Sequence, residues 1–141
     1  ELPSTTGGKV SLSSFRGDKA VAIVFIPFAF TGICQGELCQ LRDDFSQYEA
    51  AGVEVLAVSC DTAPTQKKWA EEQGYQFPVL SDFWPHGATA QAYGVFDDTR
   101  GCAVRATFLV GKDGTVVDTF RTDSLGTARE ASRYEEALAK L

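Results

Sequence analysis

Ala20-Val21-Ala22-Ile23-Val24-Phe25-Ile26-Pro27-Phe28-Ala29-Phe30-Thr31-Gly32-Ile33-Cys34 is the stretch whose reading decides the fold. Seven consecutive apolar residues, Ala20 to Ile26, read as a core strand. Pro27 closes it, because proline has no N–H to give where the chain must turn. Beyond it, Cys34, Leu38, Leu41, Phe45 and Tyr48 follow at steps of four, three, four and three, which traces one face of a helix. Cys34 is therefore expected in the first turn of that helix, sheltered on the core side and reachable from the end. Unpaired N–H groups and the positive end of the helix dipole favour a thiolate there. Thr31, three residues earlier, is expected to face the sulfur with its hydroxyl. A buried, inert cysteine at a strand-to-helix junction would show the same local pattern, so the rest of the chain has to decide between them.

Working outward, Ser11 to Gly17 reads as a loop or short turn ahead of the first core strand. Val53 to Val58 is a second short apolar run, expected as a buried strand. Asp61-Thr62-Ala63-Pro64 supplies cap chemistry and a proline near the first helical position, and Gly74 closes the helix Pro64 to Gln73. Phe77 to Leu80 is expected as a third strand and His86 to Tyr93, closed by Gly94, as a short helix. Ala106 to Val110 and Thr115 to Phe120 flank Gly111-Lys112-Asp113-Gly114, a hairpin signal. Thr127 to Leu141 places Ala131, Tyr134, Leu138 and Leu141 on one face of a terminal helix. The order β-α-β-α-β-α-β-β-α implies parallel neighbours early and an antiparallel edge late. It suits an α/β, thioredoxin-like fold: a central mixed sheet flanked by helices in one domain spanning 1–141. Glu1-Leu2-Pro3 reads as starting partway through an element, so a truncated N-terminal strand is expected.

The 141 residues carry a formal charge of −6 and no basic cluster, which argues against a nucleic-acid or anionic-membrane surface. No apolar run approaches the ~18–20 residues that span a bilayer. Four cysteines, at 34, 39, 60 and 102, are too few and too unevenly spaced for a secreted disulfide scaffold. With one histidine and no CxxC pair, the ligand spacing of a zinc site is missing. No metal and no cofactor are expected, and the compartment expected is a reducing cytoplasm.

Cys39 lies about 140° around the helix from Cys34 and ~7.5 Å further along, so the Cα atoms would be roughly 8.6 Å apart. A disulfide needs about 4.4–6.8 Å. Cys39 is either a bystander or a partner that requires the first helical turns to unwind. Cys60 ends the second strand and reads mainly as packing; Cys102, in a glycine-flanked turn, is expected to be more exposed. Arg105, at the head of the strand Ala106 to Val110, is the best source of positive charge for a Cys34 thiolate. Glu37, one turn after Cys34, would oppose the thiolate alone but could orient Arg105, and ordinary helix-surface duty is the simpler expectation. Trp84, in Ser81-Asp82-Phe83-Trp84-Pro85-His86-Gly87, would wall a cleft, form an association surface or pack on its own loop. Nothing places His86 near Cys34 as a general base.

PFAFTGIC, Pro27 to Cys34, resembles the P-x-x-x-[TS]-x-x-C signature of the peroxiredoxins, and Arg105 in RATFLV matches their second active-site arginine position. LSDFWPHG and AYGVF are similar to the one-cysteine alkyl hydroperoxide reductase E subgroup. A cysteine five residues after the nucleophile instead resembles the bacterioferritin comigratory protein (PrxQ) class, where it resolves. The resemblance implies a thiol-dependent peroxidase acting on hydrogen peroxide and organic hydroperoxides. Cys34 would be peroxidatic and Pro27 its shield. Thr31 and Arg105 would bond to the peroxide oxygens, Cys39 would resolve, and Glu37 and Trp84 would support the site. A thioredoxin- or mycoredoxin-like dithiol would be the reductant and the assembly a homodimer, with the Trp84 loop at its interface. A redox sensor or relay using the same thiols without turnover is the alternative. With no cysteine after Cys102, a resolving thiol in a C-terminal extension is not expected.

Overall fold

In a computed structural model, which describes residues 1–122 and 124–141, a five-stranded mixed sheet runs through the centre. Its order is β5 (Val79–Ser81), β4 (Val53–Ser59), β3 (Ala20–Phe25), β8 (Ala106–Val110), β9 (Val116–Arg121). β3, β4 and β5 are parallel, whereas β8 runs antiparallel to β3, and β9 to β8. Alternation along β3 explains why it is apolar throughout. Ala20, Ala22 and Val24 pack into one buried layer, and Val21, Ile23 and Phe25 into the other. The first layer lies under α1 (Gly32–Asp43), α2 (Phe45–Ala50), α3 (Ala63–Gln73) and α5 (Ala131–Leu138). The second contains Ala90 of α4 (Ala88–Ala92) and has Leu2, Val10 and Leu12 packed against it.

The order of core elements is the one expected, with local differences. The helix after β3 is two helices that meet at Asp44, whose φ and ψ of −94° and 8° leave the helical register. Gln40 Nε2 donates to Asp44 Oδ2 at 2.8 Å, an i,i+4 side-chain pair across the break. β5 starts at Val79, after Pro78, which cannot donate to a ladder. α4 starts two residues later than the expected His86, because the Asp82 carboxylate accepts the N–H groups of Thr89 and Ala90. The terminal helix covers only 131–138; the chain before it runs extended to bring Arg129 inside, and Leu141 is half exposed. The hairpin forms one residue later on its second strand, with a register shift at Leu109 and Val110.

Two small sheets extend the expected set. β1 (Leu2–Pro3) pairs with β2 (Lys9–Val10), and Thr5 ties this hairpin to the edge strand through Val79. β6 (Phe96–Asp97) pairs with β7 (Cys102–Ala103). Cys102 is thus a fully buried strand residue, and not the exposed turn thiol expected; the two-residue strand that holds it is too short to show periodicity. Among the described residues, no helix is long and apolar enough to cross a membrane.

Candidate active site

Strand register builds the site. Because β8 runs antiparallel to β3, Phe25 at the end of β3 pairs with Ala106 at the start of β8. The residue before β8, Arg105, therefore arrives beside the loop that leaves β3. That loop carries Pro27, which is buried, then turns sharply at Phe30, a non-glycine residue at φ 60°. Ala29 N–H donates to Asp61 Oδ2 at 2.8 Å, and Asp61 Oδ2 also accepts from Ser59 Oγ at 2.6 Å. The loop is therefore pinned from the end of β4. α1 begins at Gly32 and puts Cys34 in its first turn, completely buried.

Arg105, 3 % exposed, donates from Nη1 to Cys34 Sγ at 3.1 Å and to Glu37 Oε1 at 2.7 Å, and from Nε to Leu125 O at 2.9 Å. Glu37 is not a surface residue: its side chain is 8 % exposed and bridges two guanidiniums. Arg129 Nε donates to its Oε2 and Nη2 to its Oε1, both at 2.9 Å, while Arg129 N–H adds a third bond to Oε2. Arg129 Nη1 reaches back to Phe25 O and Ala106 O, at 2.7 and 2.9 Å, and fastens the network to β3 and β8. Burial alone would raise the Glu37 pKa. The hydrogen bonds and charge of Arg129, helped by the charge of Arg105, outweigh it and hold the carboxyl below its ordinary value. Two guanidiniums and one carboxylate leave one buried positive charge, and the sulfur that meets it is Cys34's.

The other expected residues lie as follows. Thr31 stands just before α1, exposed, and its hydroxyl donates to Phe28 O at 2.8 Å instead of facing the sulfur. Cys39 is half-buried, donates its thiol to Gln73 Oε1 at 3.6 Å and lies 3.8 Å from Tyr75 OH. All four cysteines are free, and α1 is continuous from Cys34 to Cys39. Trp84 is 81 % exposed, with Phe83, Phe28 and Phe30 also exposed, so it walls no buried cleft. His86 Nε2 lies 2.7 Å from Gly101 O and Nδ1 3.2 Å from Phe83 O, well occupied within its own loop. Burial pushes the thiol of Cys60 up to about 12 and that of Cys102 up to about 11. Two contributors escaped the sequence. Arg129 falls within the terminal helix expected over Thr127 to Leu141, and Asp61 reads as cap chemistry.

The arrangement holds a buried cysteine sulfur, a fixed cationic donor against it and a carboxylate that orients the donor. Residues 1–119 match the AhpC/TSA family. The chain is 48 % identical over 132 residues to alkyl hydroperoxide reductase E of Mycobacterium tuberculosis, covering 94 % of this chain and 86 % of the relative. It is 32 % identical over 132 residues to peroxiredoxin Bcp of Escherichia coli, covering 87 % and 83 %. Its fold superposes on the crystal structure of peroxidoxin BcpB from Mycobacterium tuberculosis with a TM-score of 0.85 at 30 % identity, covering 99 % of this chain and 89 % of that one.

Proposed function

Since the chain belongs to the AhpC/TSA family of peroxiredoxins, enzymes that reduce peroxide at the expense of thiols, we propose that Cys34 is the peroxidatic nucleophile and Cys39 resolves it. The contact of Arg105 Nη1 with Cys34 Sγ at 3.1 Å is the observation that carries the first assignment. The Cys34 thiolate attacks one oxygen of ROOH. An S–O bond forms, the O–O bond breaks, and RO⁻ leaves to take up a proton as ROH. Arg105 stabilises the charge that passes from sulfur to the leaving oxygen, and Glu37, held by Arg129, keeps its guanidinium aimed there. The Thr31 hydroxyl turns from Phe28 O to the peroxide, and Pro27 shields the sulfur from water. Organic hydroperoxides as well as hydrogen peroxide are substrates, with the exposed rings of Phe28 and Phe30 offering apolar contact at the loop.

Cys39 then attacks the sulfenic sulfur; the S–S bond forms and the hydroxyl leaves as water. An intact α1 keeps the two Cα atoms roughly 8.6 Å apart, so the first turns open locally. An external dithiol of the thioredoxin or mycoredoxin kind reduces the disulfide, which suits a reducing cytoplasm. The exposed aromatic cluster of Phe83 and Trp84 is the face we assign to a homodimer.

One equivalent of hydroperoxide added to the reduced protein, to Cys34→Ser and to Cys39→Ser, followed by intact and peptide masses, tests the cycle. A loss of about two mass units on a Cys34–Cys39 peptide, replaced in Cys39→Ser by sulfenic or sulfinic acid, is expected. Oxidised Cys34 beside a free Cys39 would refute the resolving role, and an unreactive Cys34 would refute the nucleophile. Steady peroxide consumption with catalytic dithiol separates an enzyme from a sensor that is oxidised once.

A further inference from the structure

α1 carries a second stripe, Gln35, Cys39 and Arg42, at steps of four and three residues. Each of the three meets α3 or the turn that follows it. Trp69 Nε1 donates to Gln35 Oε1 at 3.1 Å. Cys39 Sγ donates to Gln73 Oε1 at 3.6 Å, and Arg42 Nη1 donates to Gln73 O at 2.7 Å. Trp69 is fully buried, its ring 6.1 Å from that of Phe30 and 5.3 Å from that of Tyr75. An indole N–H so deeply buried takes its acceptor from Gln35, and a buried donor that loses its acceptor is costly.

Opening the first turns of α1 breaks the Gln35 and Cys39 contacts, while Arg42 lies beyond Cys39 and keeps the remainder of the helix tied to α3. We propose that Gln35, Trp69 and Gln73 form a clasp that sets how readily Cys39 is released to attack Cys34, and that they are positioning residues for the resolving step. This rests on the two-cysteine cycle proposed above. While the clasp is shut, a sulfenic acid at Cys34 waits beside Arg105, open to a second hydroperoxide. That hydroperoxide gives one oxygen to the sulfur, forming the sulfinic acid, and leaves as the alcohol, or as water when the oxidant is hydrogen peroxide. When the clasp opens, Cys39 displaces the hydroxyl as water and the disulfide forms. The strength of the clasp therefore divides the sulfenic acid between recovery and irreversible oxidation.

Reduced wild type, Gln35→Leu and Gln73→Ala are treated with rising equivalents of hydrogen peroxide. Peptide masses give the ratio of Cys34–Cys39 disulfide to Cys34 sulfinic acid. Removing one hydrogen bond of the clasp is expected to raise that ratio roughly three- to tenfold, with the initial rate of Cys34 oxidation within about twofold of wild type as the mark of an intact site. The two changes sit on different helices and Gln73 is only half-buried, so Gln73→Ala carries the test if Gln35→Leu folds poorly. A rise in either variant supports the clasp. A wild type that forms the disulfide, with both variants dividing as it does, overturns the clasp and leaves the two-cysteine cycle standing. A wild type that stops with Cys39 free overturns both.

Discussion

Arg105 works through position as well as charge. Its guanidinium meets Leu125 O, Glu37 and Cys34 at once, a fork that lysine's single ammonium does not reproduce. Arg105→Ala is expected to lower the second-order rate of Cys34 oxidation by about 10²–10³, the usual loss for one preorganised donor, and Arg105→Lys to restore only part of it. Stopped-flow oxidation of the reduced protein measures both. The two thiols outside the site behave oppositely to a nucleophile. With the Cys60 thiol at about 12, on the order of one molecule in ten thousand is a thiolate at pH 8. Iodoacetamide at that pH is expected to label half-buried Cys39 and spare Cys60 and Cys102, as peptide masses report. The place of Cys34 at the head of a helix could be read from spacing, since a strand, a proline and a helical stripe all converge on it, whereas an inert cysteine there would show the same pattern. The burial of Cys102 could not, because the two-residue strand that encloses it has no pattern to read.

At the scale of elements, the helices that frame the site start and stop where side chains compete with the backbone. Asp82, 2 % exposed, accepts the Thr89 and Ala90 N–H groups at the head of α4. Asp82→Ala leaves both unpaired and is expected to cost about 0.5–2 kcal/mol, seen as a lower denaturant midpoint, with Cys34 oxidation unchanged because α4 packs into the opposite layer. The late start of α5 belongs to the same class, since the Arg129 N–H is taken by Glu37 Oε2. Periodicity located each helix, but its ends depend on which N–H or carbonyl a side chain meets. The extended segment before α5 is what lets Arg129 reach Phe25 O and Ala106 O, and nothing in Thr127-Ala128-Arg129-Glu130 distinguishes it from a helical first turn.

At the scale of the whole molecule, Glu37 joins α1, β8 and the segment leading to α5, so its ionisation is linked to folding. Its pKa in the folded protein is lowered from an ordinary value of 4.5. The stability it contributes is fully present above that value and is lost as pH falls through the lower, folded one. Glu37→Gln should therefore lower stability near neutral pH, where the charged pair is broken, and flatten the acid side of the stability curve. Urea midpoints between pH 7 and pH 3 check both. Cys60 acts in the other direction. Its raised value means the fold prefers the neutral thiol, so stability falls as pH rises from the ordinary 9 toward about 12.

The sequence by itself determined the order of the core strands and helices, the parallel-then-antiparallel central sheet, the thiol at the head of α1 and the arginine at the head of β8. Each of these depends on periodicity and spacing within a few residues. Only the tertiary structure decided that Glu37 is buried between two guanidiniums, that Arg129 belongs to the site, that the Thr31 hydroxyl serves its own loop and that Cys39 is held against Gln73. Those contacts join residues 68 and 92 positions apart for Glu37 and 34 apart for Cys39. Whether a charge is paired or a thiol is held depends on which segments the sheet brings together, and local pattern does not record that.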